Sequence, residues 1–307
     1  MLTVLLCLGA VLLDRQWGEP RRWHPLVGFG DLARRVETGF YGPPKLHAQI
    51  RRARGVVAIV VLLIPFTVVA GLLAWIPVLS WGVALGALYL AIGAHSLAEH
   101  AEAVAAALAA DDLPLAREKV ALIVSRDTDD LDEEQISRAT VESVLENGCD
   151  AIFGALFWFV LAGAPGVVLY RLANTLDAMW GYRTSRYLHF GWAAAGLDDA
   201  LNWAPARLTA LGYMAVGDHP RVAWRCWREQ APGWKSPNAG SVMAAGAGAL
   251  GLALGGLARY DGAWQSRPVL GEGLVPCAKD IGRAVQLVRR ALWLWLGIIA
   301  LGGLILA

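Results

Sequence analysis

Residues 56–78 contain no charged side chain, and this run of 23 residues is the feature that most restricts the fold. An α-helix needs about 20 apolar residues to cross the hydrocarbon core of a bilayer. The run meets that length and therefore predicts a transmembrane helix. Pro65 and Pro77 lie within it and are tolerated there as kinks. Residues 81–94 are apolar as well, so that 56–94 is predicted to form a helical hairpin.

Composition extends this prediction to the whole chain. Hydrophobic residues make up 56% of the 307 residues and charged residues 17%, whereas soluble domains average about 45–50% and about 25%. The 14 Trp residues suit a protein with long membrane–water boundaries. A net charge of +1 gives no basis for nucleic-acid binding. The four cysteines lack zinc-like spacing and are interpreted as lone thiols, and the first residues do not resemble a cleaved signal peptide.

The remaining apolar segments are shorter or interrupted. They lie at 2–13, 151–172 and 291–307. We therefore predict an all-α, polytopic integral membrane protein with about 4–6 membrane segments and cytoplasmic helical loops. Residues 1–307 are predicted to form a single membrane-embedded domain, in which 96–150 is a largely cytoplasmic helical insertion that carries part of the site. Nine Lys or Arg between Arg15 and Arg54 place that loop in the cytoplasm by the positive-inside rule.

The segment 151–172 is interrupted by the sequence Gly-Ala-Pro-Gly at 163–166. It is either one kinked span or a re-entrant pair of helices. We favour the re-entrant pair, because it keeps the polar residues on both sides of the segment on the same side of the membrane.

Turn and cap residues predict the limits of several helices. Asp132 and Gln135 can cap the helix that follows them. Pro205 is expected to end the helix that precedes it. A small-residue helix is expected over 242–257, a Gly- and Pro-containing loop over 260–275, and an amphipathic helix over 280–290 before the last span.

Three groups of carboxylates and amides lie between residues 125 and 208. Residues three or four positions apart share a helix face, so each group can direct its oxygens at one point. Like charges at this spacing need neutralising, either by Mg²⁺, which prefers oxygen ligands, or by nearby arginines. The groups are Glu142, Glu146 and Asp150 with Asn147; Asn174 and Asp177; and Asp198, Asp199 and Asn202.

These groups supply the candidate site residues. The candidate catalytic residues are Glu142, Glu146, Asp198 and Asp199. The same four acids and Asp150 are the candidate metal ligands; the alternative is that the acids only pair with Arg126, Arg138 and Arg207. The candidate substrate-binding residues are His24, Arg126, Asn147, Asn174, Asp177, Tyr182, Arg183, Arg186, Asn202, Arg207 and Asn238. Arginine suits the role because its planar fork pairs with carboxylate and phosphate oxygens.

Several short motifs occur along this chain. They are Gly18-Glu19-Pro20 with His24-Pro25, Ser125-Arg126-Asp127-Thr128, Ala139-Thr140-Val141-Glu142-Ser143 with Glu146-Asn147 and Asp150, Tyr170-Arg171, Asn174-Thr175-Leu176-Asp177, Gly181-Tyr182, Tyr187, Phe190-Gly191, Asp198-Asp199, Asn202, Pro205-Ala206-Arg207-Leu208 and Ser236-Pro237-Asn238-Ala239-Gly240. Together they resemble the CbiB or CobD family of cobalamin biosynthesis. One departure is Glu19, where the family usually has Asp; the longer side chain would shift any metal or hydrogen-bond geometry there.

The resemblance implies a membrane-embedded adenosylcobinamide-phosphate synthase. Such an enzyme joins the free propionate of adenosylcobyric acid to aminopropanol or its O-phosphate through an amide bond. ATP and Mg²⁺ are the implied cofactors. The resemblance further implies a multi-pass protein of the cell inner membrane, in contact with membrane lipid, with its active site facing the cytoplasm. Self-association into a homo-oligomer is left open.

Two alternatives come from other functional classes. A membrane prenyltransferase-like enzyme also holds Mg²⁺-diphosphate with Asp and Asn side chains on helices, and Asp198, Asp199 and Asn202 fit that pattern superficially. It would need a bundle of long, continuous spans, of which this chain has few. A non-catalytic regulatory membrane relative should have lost the oxygen-rich groups, which are intact here.

Overall fold

The computed structural model describes residues 1–20, 24–43, 45–260 and 262–305, and most of them are helical. Two short turns of other helix types, Cys149–Phe153 (π) and Ala231–Gly233 (3-10), join longer elements. The elements are α1 (Leu2–Trp17), α2 (Pro25–Phe40), α3 (Ala48–Ala74), α4 (Pro77–Ala91), α5 (Ala94–Ala109), α6 (Leu113–Ala121), α7 (Glu133–Gly148), α8 (Gly154–Trp180), α9 (Tyr187–Phe190), α10 (Trp192–Val216), α11 (Pro220–Gln230), α12 (Pro237–Leu250), β1 (Leu254–Tyr260), β2 (Ala263–Leu270) and α13 (Ala278–Ile305).

The predicted fold class, an all-α polytopic membrane protein, is confirmed. Within the described residues, four helical stretches are long and apolar enough to cross a membrane: Ala48–Ala74, Pro77–Ala109, Glu133–Trp180 and Ala278–Ile305. Each of the four cysteines, all of them described, is a free thiol, as the sequence predicted.

The chain divides into two compact units, and each unit is built from two separate segments. The first contains Met1–Gly93 and Gly154–Asn202, and the second contains Ala94–Phe153 and Trp203–Ala307. The assignment of 1–307 to one domain with an insertion at 96–150 stays a prediction.

The core of the first unit lies where α3 packs on α8 and α9. Trp180 and Phe190 are fully buried there, with ring centroids 5.1 Å apart. A side chain at Gly55 would overlap the carbonyl oxygen of Phe190, so that glycine permits α3 to approach the chain this closely. The opposite face of α3 exposes valines such as Val60 and Val68, as expected of a surface that faces lipid.

α8 reverses direction in its middle, at Gly163. This residue has φ 61° and ψ −149°, a conformation that is essentially restricted to glycine. On one arm, Gly154 lies so close to the Tyr170 hydroxyl on the other arm that a Cβ there would overlap it. In a continuous helix, residues 16 positions apart would be separated by about 24 Å. The predicted helical reversal at 163–166 is therefore confirmed, whereas its insertion into a membrane stays a prediction.

In the second unit, α7 packs against α5, α6, α12 and α13. It begins with the predicted capping box, in which the Asp132 side chain accepts from the backbone N–H of Gln135 and the Gln135 side chain accepts from the backbone N–H of Asp132. Small residues let its neighbours approach: a Cβ at Gly246 on α12 would lie 2.6 Å from the Leu145 side chain. Gly251 ends α12 in the left-handed conformation, with φ 66°.

Strands β1 and β2 pair in antiparallel fashion, which corrects two predictions. The helix predicted over 242–257 ends at Leu250, and the loop predicted over 260–275 contains strand β2. Gly255 and Gly256 both have positive φ and shift the strand register, as in a β-bulge. This strand pair was not predicted from the sequence, because glycine and other small residues are compatible with close helix packing as well as with β-bulges.

Two further helix limits differ from the predictions. Pro205 does not end its helix but lies inside α10. Proline lacks the N–H that would bond to the carbonyl of Leu201, and the indole of Trp158 donates to that oxygen instead, at 3.0 Å. The amphipathic helix predicted over 280–290 and the last span are one continuous helix, α13.

Candidate functional site

A chain of hydrogen-bonded polar side chains joins α8 to α10 within the first unit. Asp198 is at its centre, accepting from Asn174 Nδ2 at 3.2 Å and from Asn202 Nδ2 at 3.1 Å. The Tyr170 hydroxyl donates to Asn202 Oδ1 at 2.8 Å, and Arg171 Nη1 donates to Asn174 Oδ1 at 3.4 Å. Two of the three oxygen-rich groups predicted from the sequence thus contact each other.

Asp198 is an acid in an unusual environment. Its burial raises the pKa of the carboxyl group, and the hydrogen bonds from Asn174 and Asn202 oppose that rise only in part. The neighbouring Asp199, which is exposed, adds a further small rise. The two donors to Asp198 are neutral amides, which leaves the charge of the ionised form without a cationic partner among these contacts. Such a carboxylate suits a proton acceptor or a cation ligand.

His24 is buried and caps the start of α2. Its Nδ1 accepts from the backbone N–H of Leu26 at 3.2 Å. Its Nε2 is buried and has no hydrogen-bond partner within the described part of the chain. Burial lowers the pKa of His24; the nearby Glu19 opposes this and Arg171 adds to it. The capping role is structural, and substrate binding by His24 stays a prediction.

The segment between α8 and α9 carries three predicted substrate-binding residues. Tyr182 and Arg183 are exposed. Arg186 instead donates to the buried Glu37 of α2, at 2.8 Å from Nε and 2.6 Å from Nη2. Asp177 lies against Gly181, the first residue of this segment. The role of Glu37 was not predicted, because the sequence around a single glutamate on an amphipathic helix does not indicate a partner as far along the chain as Arg186.

In the second unit, Glu142 is almost completely buried and surrounded by donors. Arg126 donates to Oε2. Arg267 on β2 donates to Oε2 at 2.9 Å and to Oε1 at 3.1 Å, and the backbone N–H of Gly255 donates to Oε1 at 2.8 Å. Both oxygens are therefore in contact with cationic groups, which supports the ion-pair alternative for this acid. Arg267 was not predicted, because its strand was expected to be a loop.

The β-bulge at Gly255 and Gly256 explains how the strand pair meets α7. Positive φ at both residues lets the N–H of Gly255 contact Glu142 while the carbonyls contact arginines. Arg267 donates to the carbonyls of Gly255 and Gly256, at 3.2 and 3.3 Å. Arg138 donates to the Gly255 carbonyl at 3.3 Å and pairs with Glu134. Arg138 therefore does not neutralise the predicted acids as the alternative supposed.

The other predicted residues of α7 lie one and two turns further along. Asn147 donates to Ser143 Oγ at 2.9 Å, and Ser143 donates to the carbonyl of Ile123 at 2.7 Å. Glu146 is half-buried, and Asp150 is half-buried in the π turn. Spacing along α7 could not show that two arginines enclose Glu142.

Arg207 and Asn238 contact each other in the second unit. Arg207 Nη1 donates to Asn238 Oδ1 at 2.5 Å and to the carbonyl of Trp203 at 2.9 Å. Its guanidinium lies 4.8 Å from the centre of the Trp203 ring. Asn238 is in the first turn of α12, which Ser236 caps. Two residues predicted to bind substrate thus meet at a helix N-terminus, where backbone N–H groups favour negative charge.

The described residues contain no group of three or more His, Cys, Asp or Glu side chains placed to hold a metal ion. Mg²⁺ bound with a nucleotide needs only one or two protein carboxylates. Asp198 and Asp199 fit this requirement better than Glu142, because the Asp198 oxygens contact neutral amides whereas Glu142 contacts two guanidinium groups. The predicted convergence of Glu142 and Glu146 with Asp198 involves both units and stays a prediction.

Comparison with known proteins places this arrangement in a family. The family model described as CobD/Cbib protein matches residues 7–288. A relative from Chromobacterium violaceum, named "Cobalamin biosynthesis protein CobD", is 63% identical over 93% of this chain and 92% of its own. Relatives with the same name from Stutzerimonas stutzeri and Mycobacterium tuberculosis are 55% and 41% identical, over 99% and 91% of this chain and 99% and 88% of their own. No solved structure matches the chain.

Proposed function

Because the chain belongs to the CobD/Cbib family of cobalamin biosynthesis proteins, we propose that it is an adenosylcobinamide-phosphate synthase. It joins the free propionate of adenosylcobyric acid to the amine of aminopropanol or of aminopropanol O-phosphate. ATP supplies the energy for the amide bond. The protein lies in the inner membrane, and its active site faces the cytoplasm.

The observation that carries this proposal is the environment of Asp198. Amide formation requires a group that accepts a proton from the attacking amine, and efficient proton transfer needs a pKa close to the working pH. Burial moves the pKa of Asp198 in that direction. Asn174 and Asn202 fix both carboxylate oxygens, so that their remaining lone pairs have defined directions. Tyr170 in turn fixes Asn202.

A carboxylate is a poor electrophile, so the propionate must first be activated. Its oxygen attacks the γ-phosphorus of ATP, which gives an acyl phosphate and releases ADP. The neutral amine then attacks the acyl carbon, the C–O bond breaks, and inorganic phosphate leaves with the bonding electron pair. Asp198 accepts the proton that the nitrogen loses. The protein's contribution is the positioning of reactants and the stabilisation of charge on the transferred group.

Mg²⁺ would neutralise phosphate charge during the transfer when it is bound with ATP. Asp198 and Asp199 are the residues that would hold it, for the reasons given by their contacts. A carboxylate that binds the ion cannot at the same time accept the proton through the same oxygen. The assignment of Asp198 as base and Asp199 as the principal ligand removes that conflict, because Asp199 is the more exposed of the two.

Each of the two compact units offers an arginine for binding an anionic group. Arg183 is exposed, and Arg207 lies beside Asn238 at the start of α12. Arginine pairs with phosphate and carboxylate oxygens in a bidentate manner, which suits this role. Arg186 is less suited to this role because Glu37 already accepts two of its N–H groups.

The test is a turnover assay of the full chain purified in detergent. Adenosylcobyric acid, ATP and Mg²⁺ are supplied with either aminopropanol or its O-phosphate, and products are identified by mass. We expect one amide product, formed with stoichiometric release of ADP and phosphate. Omission of ATP should abolish it, and the Asp198→Asn variant should reduce it by about 100-fold or more. Absence of product with both amines in a folded preparation would refute the proposal.

A further inference from the structure

We propose that Arg126 and Arg267 form a phosphate-binding site in the second unit, with Glu142 as the residue that positions both guanidinium groups. The choice of phosphate rests on the proposed function, which brings phosphorylated substrates to this protein. The site itself rests on charge and contacts. In this site Arg267 helps to bind phosphate, and Glu142 positions the two arginines instead of binding a metal ion.

The cluster of Arg126, Arg267 and Glu142 contains more positive than negative charge. Two guanidinium groups share one carboxylate, since Arg126 and Arg267 both contact Glu142 Oε2. The side chains are only 11%, 12% and 4% exposed for Arg126, Arg267 and Glu142. The cluster therefore carries one surplus positive charge where water has little access. Burying an uncompensated charge is costly, and an anion that binds there would remove the cost.

The neighbouring acids are engaged elsewhere. Asp127 and Asp130 both pair with Arg259, at 3.6 and 2.5 Å. Glu134 pairs with Arg138. Asp130 and Glu134 are also half or more exposed, so that solvent and salt screen their effect on the buried cluster. Because Asp127 and Asp130 share one arginine, they keep one surplus negative charge of their own. That charge is more exposed than the Glu142 cluster, and within the described residues neither acid pairs with Arg126 or Arg267.

Arg126 and Arg267 differ in how many of their N–H donors are already in use. A guanidinium group has five N–H donors. Arg267 uses its donors on Glu142 and on the carbonyls of Gly255 and Gly256, and it lies 5.4 Å from the centre of the Trp234 ring. Arg126, within the described residues, donates to Glu142 alone. Arg126 therefore offers the free N–H groups, and Arg267 is held rigidly beside it as additional positive charge.

Phosphate fits these features better than a divalent cation does. A phosphate monoester carries about −1.5 to −2 charges at neutral pH and has several strong acceptor oxygens. Arginine pairs with two such oxygens at once. A divalent cation is disfavoured, because the cluster is already positive. Both ATP and aminopropanol O-phosphate present the required group, and the experiment separates them.

The experiment measures binding by calorimetry, with the full chain in detergent and without Mg²⁺. Inorganic phosphate, ATP and aminopropanol O-phosphate are titrated in turn into wild type and Arg126→Gln. We expect Arg126→Gln to weaken binding of inorganic phosphate by about tenfold or more, because charge-assisted hydrogen bonds are lost. Whichever larger ligand loses affinity in parallel is the natural source of the phosphate.

Arg225→Gln is the matched control. Arg225 is also an arginine of the second unit, but it pairs one-to-one with Glu272, and both side chains are about half exposed. It carries no surplus charge, so its loss should leave phosphate affinity within about twofold of wild type. Equal losses in Arg126→Gln and Arg225→Gln would indicate a nonspecific charge effect and overturn the site.

Folding of the variant does not confound the result. Arg126→Gln leaves a balanced pair of Glu142 and Arg267, so its melting temperature in phosphate-free buffer should equal or exceed that of wild type. If the protein nevertheless unfolds, Arg126→Lys keeps the charge but not the fork, and should still bind phosphate more weakly. A folded Arg126 variant with unchanged phosphate affinity would refute the site. Amide synthesis is measured separately, so a failure of the proposed function would appear as binding without product.

Discussion

Glu37 on α2 accepts hydrogen bonds from both Nε and Nη2 of Arg186, at 2.8 and 2.6 Å, across 149 residues of sequence. The same carboxylate accepts from the Trp180 indole at 3.2 Å and from the Tyr187 hydroxyl at 3.5 Å. Glu37 therefore fixes both ends of the segment that carries Tyr182 and Arg183. Substrate-binding side chains on a short exposed segment need such a support to keep their positions.

The first prediction concerns this pair. Glu37→Gln should lower the free energy of unfolding by about 1–3 kcal/mol, because charged hydrogen bonds to a buried acceptor are lost. Arg186→Gln should cost less, since its side chain is half exposed. The double variant should be no less stable than Glu37→Gln. Melting followed by Trp fluorescence measures the cycle, and strictly additive losses would contradict a direct Glu37–Arg186 interaction.

The second prediction concerns Asp198→Asn. Burial raises the pKa of Asp198, so the folded protein binds this proton more tightly than the unfolded chain does. Its contribution to stability consequently falls as pH rises from the ordinary Asp value through the raised one. Asp198→Asn should remove that slope and should be as stable as wild type, or more stable, at neutral pH. Melting curves in metal-free buffer test this, measured from about pH 4, near the ordinary pKa of Asp, to about pH 7.

A loss of stability in Asp198→Asn at neutral pH would mean that the ionised carboxylate has a cationic partner in the folded protein. Asp199→Asn is the matched control for stability, because Asp199 is exposed and adjacent. Because Asp198 is intact in it, the Asp199→Asn protein should keep the pH-dependent slope that Asp198 gives to wild type.

The third prediction concerns the Mg²⁺ requirement. If the acids bind metal, Asp199→Asn and Glu146→Gln should each abolish product and raise the Mg²⁺ requirement, with stability little changed or increased as like charges are removed. The measurement is initial rate against Mg²⁺ concentration, with melting curves alongside. An active but less stable Asp199→Asn protein would exclude the metal role and favour ion pairing.

The fourth prediction concerns the reversal in α8. Gly163→Ala should destabilise the protein by about 1–3 kcal/mol, because φ 61° with ψ −149° is strained for any residue with a Cβ. No atom lies within 4 Å of the added Cβ, so the effect comes from the backbone alone. Gly82→Ala in α4 is the control: it also has open space, but its φ is helical, and it should be neutral or stabilising. Equal melting temperatures for both variants would contradict the reversal.

The fifth prediction concerns membrane topology. The positive charge of 15–54 and the hairpin 56–94 predict that 14–54, 96–150 and 181–238 share the cytoplasmic side. Single cysteines placed at Gly18 and Asp198, in a background without the four native cysteines, should both react with a membrane-impermeant reagent from the cytoplasmic side only. Labelling from opposite sides would refute this arrangement.

Sequence alone determined the features that depend on local physics. The uncharged run 56–78 specified a membrane helix, because an apolar stretch of that length has few stable alternatives in water. Asp132 and Gln135 specified the start of α7, because capping involves residues three positions apart. Gly163 marked the reversal of α8, because few other residues adopt its conformation. The spacing of Asp198 and Asn202 correctly predicted that they share a helix face.

Tertiary structure alone decided which buried acids are paired with arginines and which contact neutral groups. Glu142 and Asp198 look alike in sequence, yet Glu142 contacts two arginines whereas Asp198 contacts two neutral amides. Arg267 lies 125 residues from Glu142, and spacing rules extend over only one or two helical turns. The β-bulge that brings Arg267 to Glu142 depends on glycines that sequence analysis assigned to helix packing. The charge state of a buried acid is set by its neighbours in space, which the order of residues along the chain does not contain.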